Sequence, residues 1–348
     1  MNLENAVEES AAERTPAVLQ GEVLCTGGEK EERGNVVAFK FGGSSLLGVE
    51  RMLHAARLVR AEMERARVCV VVSAMKGMTD HLLAIERALA TGKWAQARRE
   101  AERVVELHLE VLEGLRLEGE HERRVLHELQ LLGSDLLHEV QFYGGNHGGA
   151  ERADRLASFG ERFSARLFAA ALEKLGVAAV PVASSEFILT CDTFRAAEPH
   201  LPQTRERGQE ILLPLLEEKI VPVVTGFIGA TPDGRITTLG RNSSDFSGAI
   251  IARVVDADEL VIWTDVDGIY TANPRESAEA RLLHELSYDE AYALAARGAK
   301  VLHAKVLPLA AETEIVVWVR NTFRPEARGT RIGPASTVLG SRQKEGAA

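Results

Sequence analysis

Cysteine is scarce in this chain: Cys25, Cys69 and Cys191 are the only three among 348 residues, they form no CxxC pair, and no histidine stands at metal-ligand spacing from them. That excludes a disulfide framework and a zinc site, and Cys69, inside the apolar run Val68 to Val72, reads as a small core residue. No apolar run reaches the ~18 residues that a membrane span requires. Nor does a basic flank followed by an apolar stretch open the chain, so the expectation is a soluble, cytoplasmic protein with no membrane partner. Positive charge is in the minority, 41 Lys plus Arg against 51 Asp plus Glu, for a net charge of -10. Non-specific nucleic-acid binding needs a basic face, which excludes that class. An anionic ligand must therefore be held by a few local cations and backbone amides.

What is present suffices for a large core: 45% of the residues are hydrophobic, enough for one large domain or two. Residues 1–33 carry eight acids against three bases without periodicity and read as a disordered acidic tail.

The chain is organised around Val36 to Ser45, VVAFKFGGSS. An apolar run that breaks at once into Gly42 and Gly43 predicts a buried strand ending in a tight turn whose backbone amides can face a ligand. Lys40 supplies a point positive charge beside them, and Ser44 and Ser45 add hydroxyl donors, a combination suited to phosphate. Taken alone, the ten residues fit an ordinary strand-to-helix turn with a surface lysine equally well. They match neither a Walker loop nor a GxGxxG fingerprint.

Helical spacing of Val49, Met52, Leu53, Ala56, Val59 and Met63 precedes a second apolar strand, Arg67 to Ala74, which predicts a parallel strand pair joined by a crossover helix. That strand ends in Ser73-Ala74-Met75-Lys76-Gly77-Met78-Thr79-Asp80, again placing hydroxyls at a carboxyl end. Two amphipathic helices follow, marked by Val104 to Leu115 and Val125 to Val140 and parted at Gly119. His108, His121, His127 and His138 fall among them without a metal motif and read as solvated or packing residues. A glycine-rich connection spans Phe142 to Gly149. Ser158 to Arg162 is expected to open the next helix, with Glu161 in its first turn, where the helix dipole alone would favour a carboxylate. Val177 to Ala183 and Ile220 to Gly229 read as strands, and Pro222 marks the second as a strand start or an edge.

Thr238 to Asp245 leads into a helix over Phe246 to Val254 that Ser244 or Asp245 could cap. Arg241 just before it is the odd choice, because a cation opposes the dipole at a helix N-terminus; an anionic ligand there would resolve the conflict. Glu259 to Thr264 is a strand, Ser287 to Glu290 a capping box for a helix ending near Gly298, and Ile315 to Asn321 a last strand. The alternation predicts an α/β fold, a mainly parallel sheet covered on both faces.

KFGGSS, SAMKGMTD, FGERFS, TLGRNSSD, WTDVDGIYTANPR and GAKVLH, in that order, resemble the catalytic domain of aspartate kinases, within the amino acid kinase family. The resemblance runs from about Val36 to Gly333, and the wording is similar to the kinase half of fused aspartokinase-homoserine dehydrogenases. It implies a three-layer αβα sandwich with a catalytic domain over 34–333, its amino-acid lobe over about 34–219 and its nucleotide lobe over about 220–333, and a tail over 334–348. It implies transfer of the ATP γ-phosphate, with Mg²⁺, to the β-carboxylate of L-aspartate, the first step toward lysine, threonine and methionine. Lys40, Asp245 and Lys300 match its catalytic positions, and Ser73, Thr79, Glu161, Arg241 and Ser244 its aspartate positions. Lys40, Gly42, Gly43, Ser44, Thr264, Asp265, Tyr270, Arg275, Lys300 and Val301 match the phosphate and nucleotide positions. A carboxylate with a pKa of about 4 is already ionised at neutral pH, so this chemistry needs no general base and rests on alignment and charge neutralisation. On that basis Asp245 is expected to orient a lysine or meet the substrate ammonium, Arg241 to fork onto the α-carboxylate and Glu161 to pair with the ammonium.

Departures from the family's wording are Ser44 for threonine, the shifted lysine of SAMKGMTD (so Lys76 is not carried over), Ser243 for glycine, Asn273 for aspartate and Ala304 for proline. Sixteen residues follow Ile332, too few for an ACT regulatory module, so inhibition by lysine or threonine from within this chain is not expected. The partners implied are a second copy, as a homodimer, and a separate ACT-type regulatory chain. The alternatives are a different carboxylate kinase of the same superfamily and a non-catalytic nucleotide-binding regulatory subunit.

Overall fold

The computed structural model describes residues 34–142, 149–241, 243–272, 277, 279–296, 302–303 and 305–334. The acidic tail, most of the glycine-rich connection, and Arg275, Lys300 and Val301 lie outside them.

β1 (Val36–Phe41) is buried along its whole length, which is why its sequence is apolar at nearly every position rather than alternating. α1 (Gly48–Glu62) crosses to β2 (Arg67–Val72), which pairs in parallel with β1 as the strand-helix-strand pattern predicted. Then come α2 (Met78–Ala90), α3 (Trp94–Leu115), α4 (Gly119–Gln141) and α5 (Ala150–Lys174). The chain returns through β3 (Ala179–Val182), α6 (Leu201–Glu217) and β4 (Val221–Thr225) to a hairpin of β5 (Ile228–Ala230) and β6 (Ile236–Thr238). α7 (Ser244–Val254) and β7 (Glu259–Thr264) follow, with a small ladder of β8 (Ile269–Tyr270) and β9 (Leu282–Leu283). β10 (Glu285–Ser287), α8 (Tyr288–Ala296), α9 (Val306–Thr313), β11 (Val316–Asn321) and β12 (Thr330–Gly333) complete the order.

Among the described residues one large sheet runs β10-β12-β11-β7-β1-β2-β4-β3. From β11 to β3 every neighbouring pair is parallel, while β12 runs antiparallel to β11 and β10 follows β12. The expected mainly parallel sheet is found. Pro222 does not mark an edge: β4 is interior, between β2 and β3, and Pro222 is the second residue of that strand. A proline is tolerated there because the ladder between β2 and β4 begins only at Val223, one residue on. The sheet also carries strands from both sides of residue 220 without a seam.

Side chains alternate across the sheet and build one core on each side. Val37, Phe39, Phe41, Val68, Val70 and Val72 pack toward α1 to α5, whereas Val36, Ala38, Cys69 and Val71 pack toward α6, α7 and α9. That is the three-layer sandwich, and each fully buried large side chain contributes about 1.5–3 kcal/mol relative to exposure. Burial pushes the Cys69 thiol up, consistent with an inert core residue. His108 is also interior, stacked on Phe163 with centroids 4.4 Å apart, its Nδ1 on the Val104 carbonyl at 2.6 Å. The capping box is real: Glu290 Oε2 accepts from Ser287 N at 2.8 Å, and Ser287 Oγ accepts from Glu290 N at 3.2 Å. No helix among the described residues is long and apolar enough to cross a membrane.

The parallel run brings the carboxyl ends of β11, β7, β1, β2 and β4 to one edge. Ligands of open α/β sheets collect along such an edge.

Candidate active site

Lys40 is the fifth of the six residues of β1 and shares the face of Val36 and Ala38, so its side chain runs beneath α7. Gly248 makes that possible: a Cβ there would stand 3.3 Å from Lys40 Cβ. The stem is buried, and Nζ reaches Asp245 Oδ1 at 2.7 Å in the first turn of α7. The contact is close, yet the buried Oδ1 accepts no aligned hydrogen bond. It is a charge pair that an anion can enter at small cost.

The turn after β1 is held against its two neighbours. Gly42 N donates to the Trp263 carbonyl at 3.1 Å, Ser73 N donates to Phe41 O at 3.1 Å, and Lys76 N donates to Gly43 O at 3.1 Å. A Cβ on Gly43 would lie 2.5 Å from the Ala74 carbonyl, so only glycine lets these two strand ends close on each other. A Cβ on Gly42 would lie 3.6 Å from Lys40 Nζ, which puts the open side of that glycine directly beside the ammonium. Ser44 is half-buried and its carbonyl accepts from Arg51 at 2.9 Å. Ser45 is not a ligand donor: it is fully buried, with Oγ 2.6 Å from Thr322 Oγ1 at the end of β11.

Glu161 departs most from expectation. The helix begins at Ala150, not at Ser158, so Glu161 sits in the middle of a 25-residue helix and the dipole explanation fails. The apolar stripe does extend back through Ala153 and Leu156, an unread signal of the true start. Gly160 lets α5 press on the end of β2, where a Cβ would meet Ala74 Cβ at 2.6 Å. Glu161 Oε1 then accepts from Ala74 N at 3.1 Å, and Ser164 Oγ, one turn on, accepts from Met75 N at 3.1 Å. Burial pushes the Glu161 carboxyl up to about 8, against the opposing pull of the Ala74 N–H and the Lys40 charge. A buried carboxylate with one N–H and a nearby lysine, in a glycine-made contact, has no structural need to be acidic. It suits a cationic group arriving from outside.

α7 supplies the opposite wall. Ser243, at its N-cap, is fully buried with its hydroxyl unpartnered, and Ser244 is buried against Gly226 at the end of β4, where a Cβ would lie 3.2 Å from Ser244 Cβ. Neither side chain caps the helix. Arg241 is exposed on the turn just before it. Ser73 is half-buried at the end of β2, and Thr79 is exposed in the first turn of α2.

Along the edge, Thr264 ends β7 half-buried, its carbonyl taking the Thr322 N–H at 2.8 Å, and Asp265 is exposed beyond it. The carboxylate of Asp267 gathers Asn321 Nδ2 at 2.7 Å, the Tyr270 hydroxyl at 3.3 Å and the Arg324 guanidinium, which fixes the half-buried Tyr270. His303, the last residue of GAKVLH, stacks on Phe246 of α7 with centroids 5.8 Å apart. Among the described residues, Lys40, Gly42, Gly43, Ser73, Glu161, Ser244 and Asp245 therefore converge, while Thr264, Asp265 and Tyr270 lie further along the same edge. Asp267, and Asp154 on the inner face of α5, escaped the sequence reading; Asp154 was legible only as a carboxylate two turns before Glu161 on the same helical face.

Comparison with known proteins gives a match to the amino acid kinase family over residues 35–321. Aspartokinase 1, chloroplastic, of Arabidopsis thaliana is 35% identical over 313 residues, 87% of this chain and 53% of that protein. Lysine-sensitive aspartokinase 3 of Escherichia coli (strain K12) is 33% identical over 300 residues, 85% of this chain and 64% of that protein. The crystal structure of E. coli aspartokinase III in complex with aspartate and ADP superposes with a TM-score of 0.79 at 32% identity, covering 87% of this chain and 65% of that one. The chain thus spans between about half and two thirds of the length of these relatives.

Proposed function

The chain belongs to the amino acid kinase family, and we propose that it acts there as an aspartate kinase, phosphorylating the β-carboxylate of L-aspartate with ATP. The observation that carries this is the juxtaposition of the Lys40–Asp245 pair, at 2.7 Å, with the buried, proton-retaining carboxyl of Glu161 across one strand-end edge. A likeness to an aspartokinase crystallised with aspartate and ADP supports the same assignment.

Glu161 receives the substrate ammonium and Arg241 the α-carboxylate, a combination that selects a free amino acid over a simple dicarboxylate. The β-carboxylate is ionised without help and attacks in line with the γ-phosphorus, so the barrier is two anions meeting. Lys40 exchanges its contact with Asp245 for the transferring phosphoryl oxygens, whose charge it spreads and neutralises. Asp245 holds the ammonium of Lys40 in line until then. Gly42 and Gly43 let phosphate approach backbone amides, with Ser44 beside them, and Lys300 serves the far side of the phosphoryl group. Thr264, Asp265, Tyr270, Arg275 and Val301 hold the nucleotide; Ser73, Thr79 and Ser244 line the amino-acid side. Magnesium carried on the ATP phosphates would supply further charge neutralisation there. In this reading residues 34–333 are the catalytic unit.

A hydroxamate assay with ATP, Mg²⁺ and L-aspartate tests the assignment, with glutamate and acetylglutamate as controls. Product with aspartate alone is the expected result; product with a control instead, or none at all, would overturn it.

A further inference from the structure

We infer that Asp154 is a positioning residue for amino-acid recognition: its carboxylate ties the segment carrying Arg241 to the helix carrying Glu161. The inference rests on the roles proposed above for those two residues.

Asp154 lies seven residues before Glu161 on α5, so both face the same way. It is 2% exposed, and although the Arg195 charge lies near enough to favour its ionised form, its direct partners are hydrogen-bond donors. Instead it accepts three hydrogen bonds, from Arg195 N at 2.7 Å, Thr238 N at 2.8 Å and Thr238 Oγ1 at 2.8 Å. Thr238, itself 2% exposed, ends β6, and its carbonyl accepts from Ala197 N at 2.9 Å. Its backbone is thus fixed on both sides, three residues before Arg241. Gly240 between them has a φ of +97°, which lets the chain turn back sharply, and a Cβ there would stand 3.7 Å from the Arg195 carbonyl. The turn around Arg195 is anchored in its own right, because its guanidinium pairs with Glu86 of α2.

No described residue pairs with the Arg241 guanidinium, so what places Arg241 is the backbone that leads to it. Burying a carboxylate is costly unless donors surround it, and an apolar residue would fill the same space without that cost. The three donors come from the two segments that frame the Arg241 turn. The result is one rigid helix that sets the spacing between the site for an ammonium and the site for an α-carboxylate.

The test is steady-state kinetics of the full chain carrying Asp154→Asn, which takes the negative charge away from all three bonds and puts an NH₂ where the Thr238 hydroxyl now finds an acceptor, so that this bond must reverse. The KM for aspartate should rise about tenfold or more, the order expected when a recognition group is misplaced by a fraction of an ångström, while the KM for ATP changes less than about twofold. In an Arg241→Ala background the same substitution should add less than about twofold, since both act through one contact. Thr238→Val, which removes only the Oγ1 bond from a buried site of the same shape, should raise the aspartate KM in the same direction and decides the matter if Asp154→Asn does not fold. An unchanged aspartate KM, or KM values for both substrates moving together, would overturn the inference. Hydrogen exchange separates it from the functional reading: faster exchange at 236–241 in Asp154→Asn with β1 unchanged supports the tether even if wild type makes no aspartyl product, and unchanged exchange refutes it.

Discussion

Glu161 gives the sharpest prediction, because its environment couples substrate binding to a proton. Held up at about 8 by burial, the carboxyl is roughly one-tenth ionised at pH 7 in the empty site. Only the ionised form pairs with an ammonium, so aspartate binding must release a proton. The KM for aspartate should therefore fall about tenfold per pH unit as pH rises from 6 toward 8 and level off above it, while the KM for ATP stays nearly flat. Glu161→Gln keeps an oxygen for the Ala74 N–H but cannot titrate. Its aspartate KM should be independent of pH over the same range and, at pH 8.5, higher than wild type by about 10- to 100-fold, the loss of one hydrogen bond to a charged group. The unliganded protein should respond in the opposite sense. A carboxyl whose folded pKa is raised contributes its full stability below pH 4.5 and loses it as pH climbs through about 8, so at pH 8.5 Glu161→Gln should be more stable than wild type, by up to about 5 kcal/mol. Initial-rate assays across pH and thermal melts of both proteins supply the data. A wild-type aspartate KM that does not change between pH 6.5 and 8, or a slope that survives in Glu161→Gln, would refute the reasoning.

Three further outcomes follow from other contacts. Lys40→Met removes the positive charge next to Gly42 and should lower kcat by about 10²–10³-fold or more with ATP binding retained, measured by equilibrium titration beside the hydroxamate assay. Burial holds the neutral imidazole of His108 down at about 4; its folded pKa lies below the unfolded 6.5, so stability should decline by up to about 3 kcal/mol as pH falls from 6.5 through 4, and chemical melts of His108→Leu should show a flatter profile over that window. Gly160→Ala places a methyl 2.6 Å from Ala74 Cβ, which should cost about 1–3 kcal/mol in thermal melts and raise the aspartate KM by loosening the Glu161–Ala74 bond.

Much of this molecule is local and was open to reading. VVAFKFGG reads as a buried strand ending in a tight turn, and apolar periods of two kinds in alternation predict a parallel sheet between helices. The motif order carried the family resemblance because a strand end, a glycine pair and a charge are all specified by neighbours in sequence. Glu161 shows the limit. Its first-turn placement came from the glycine-rich connection and the serine before it, and the helix ran two turns further back because Ala153, Leu156 and Phe159 bury the same stripe.

The residue types, the central strands, the direction of the sheet and an edge where strands end in glycines, hydroxyls and charges were determined by the sequence itself. What the tertiary structure decided is which side chains that edge brings within reach: Lys40 on Asp245 across 205 positions, Glu161 on the amide of Ala74, Ser45 turned inward to Thr322 and Asp154 tied to Thr238. Those contacts join segments far apart in the chain through burial, and burial, which also moves the Glu161 carboxyl by several pH units, is a property of the packed molecule rather than of any stretch of it.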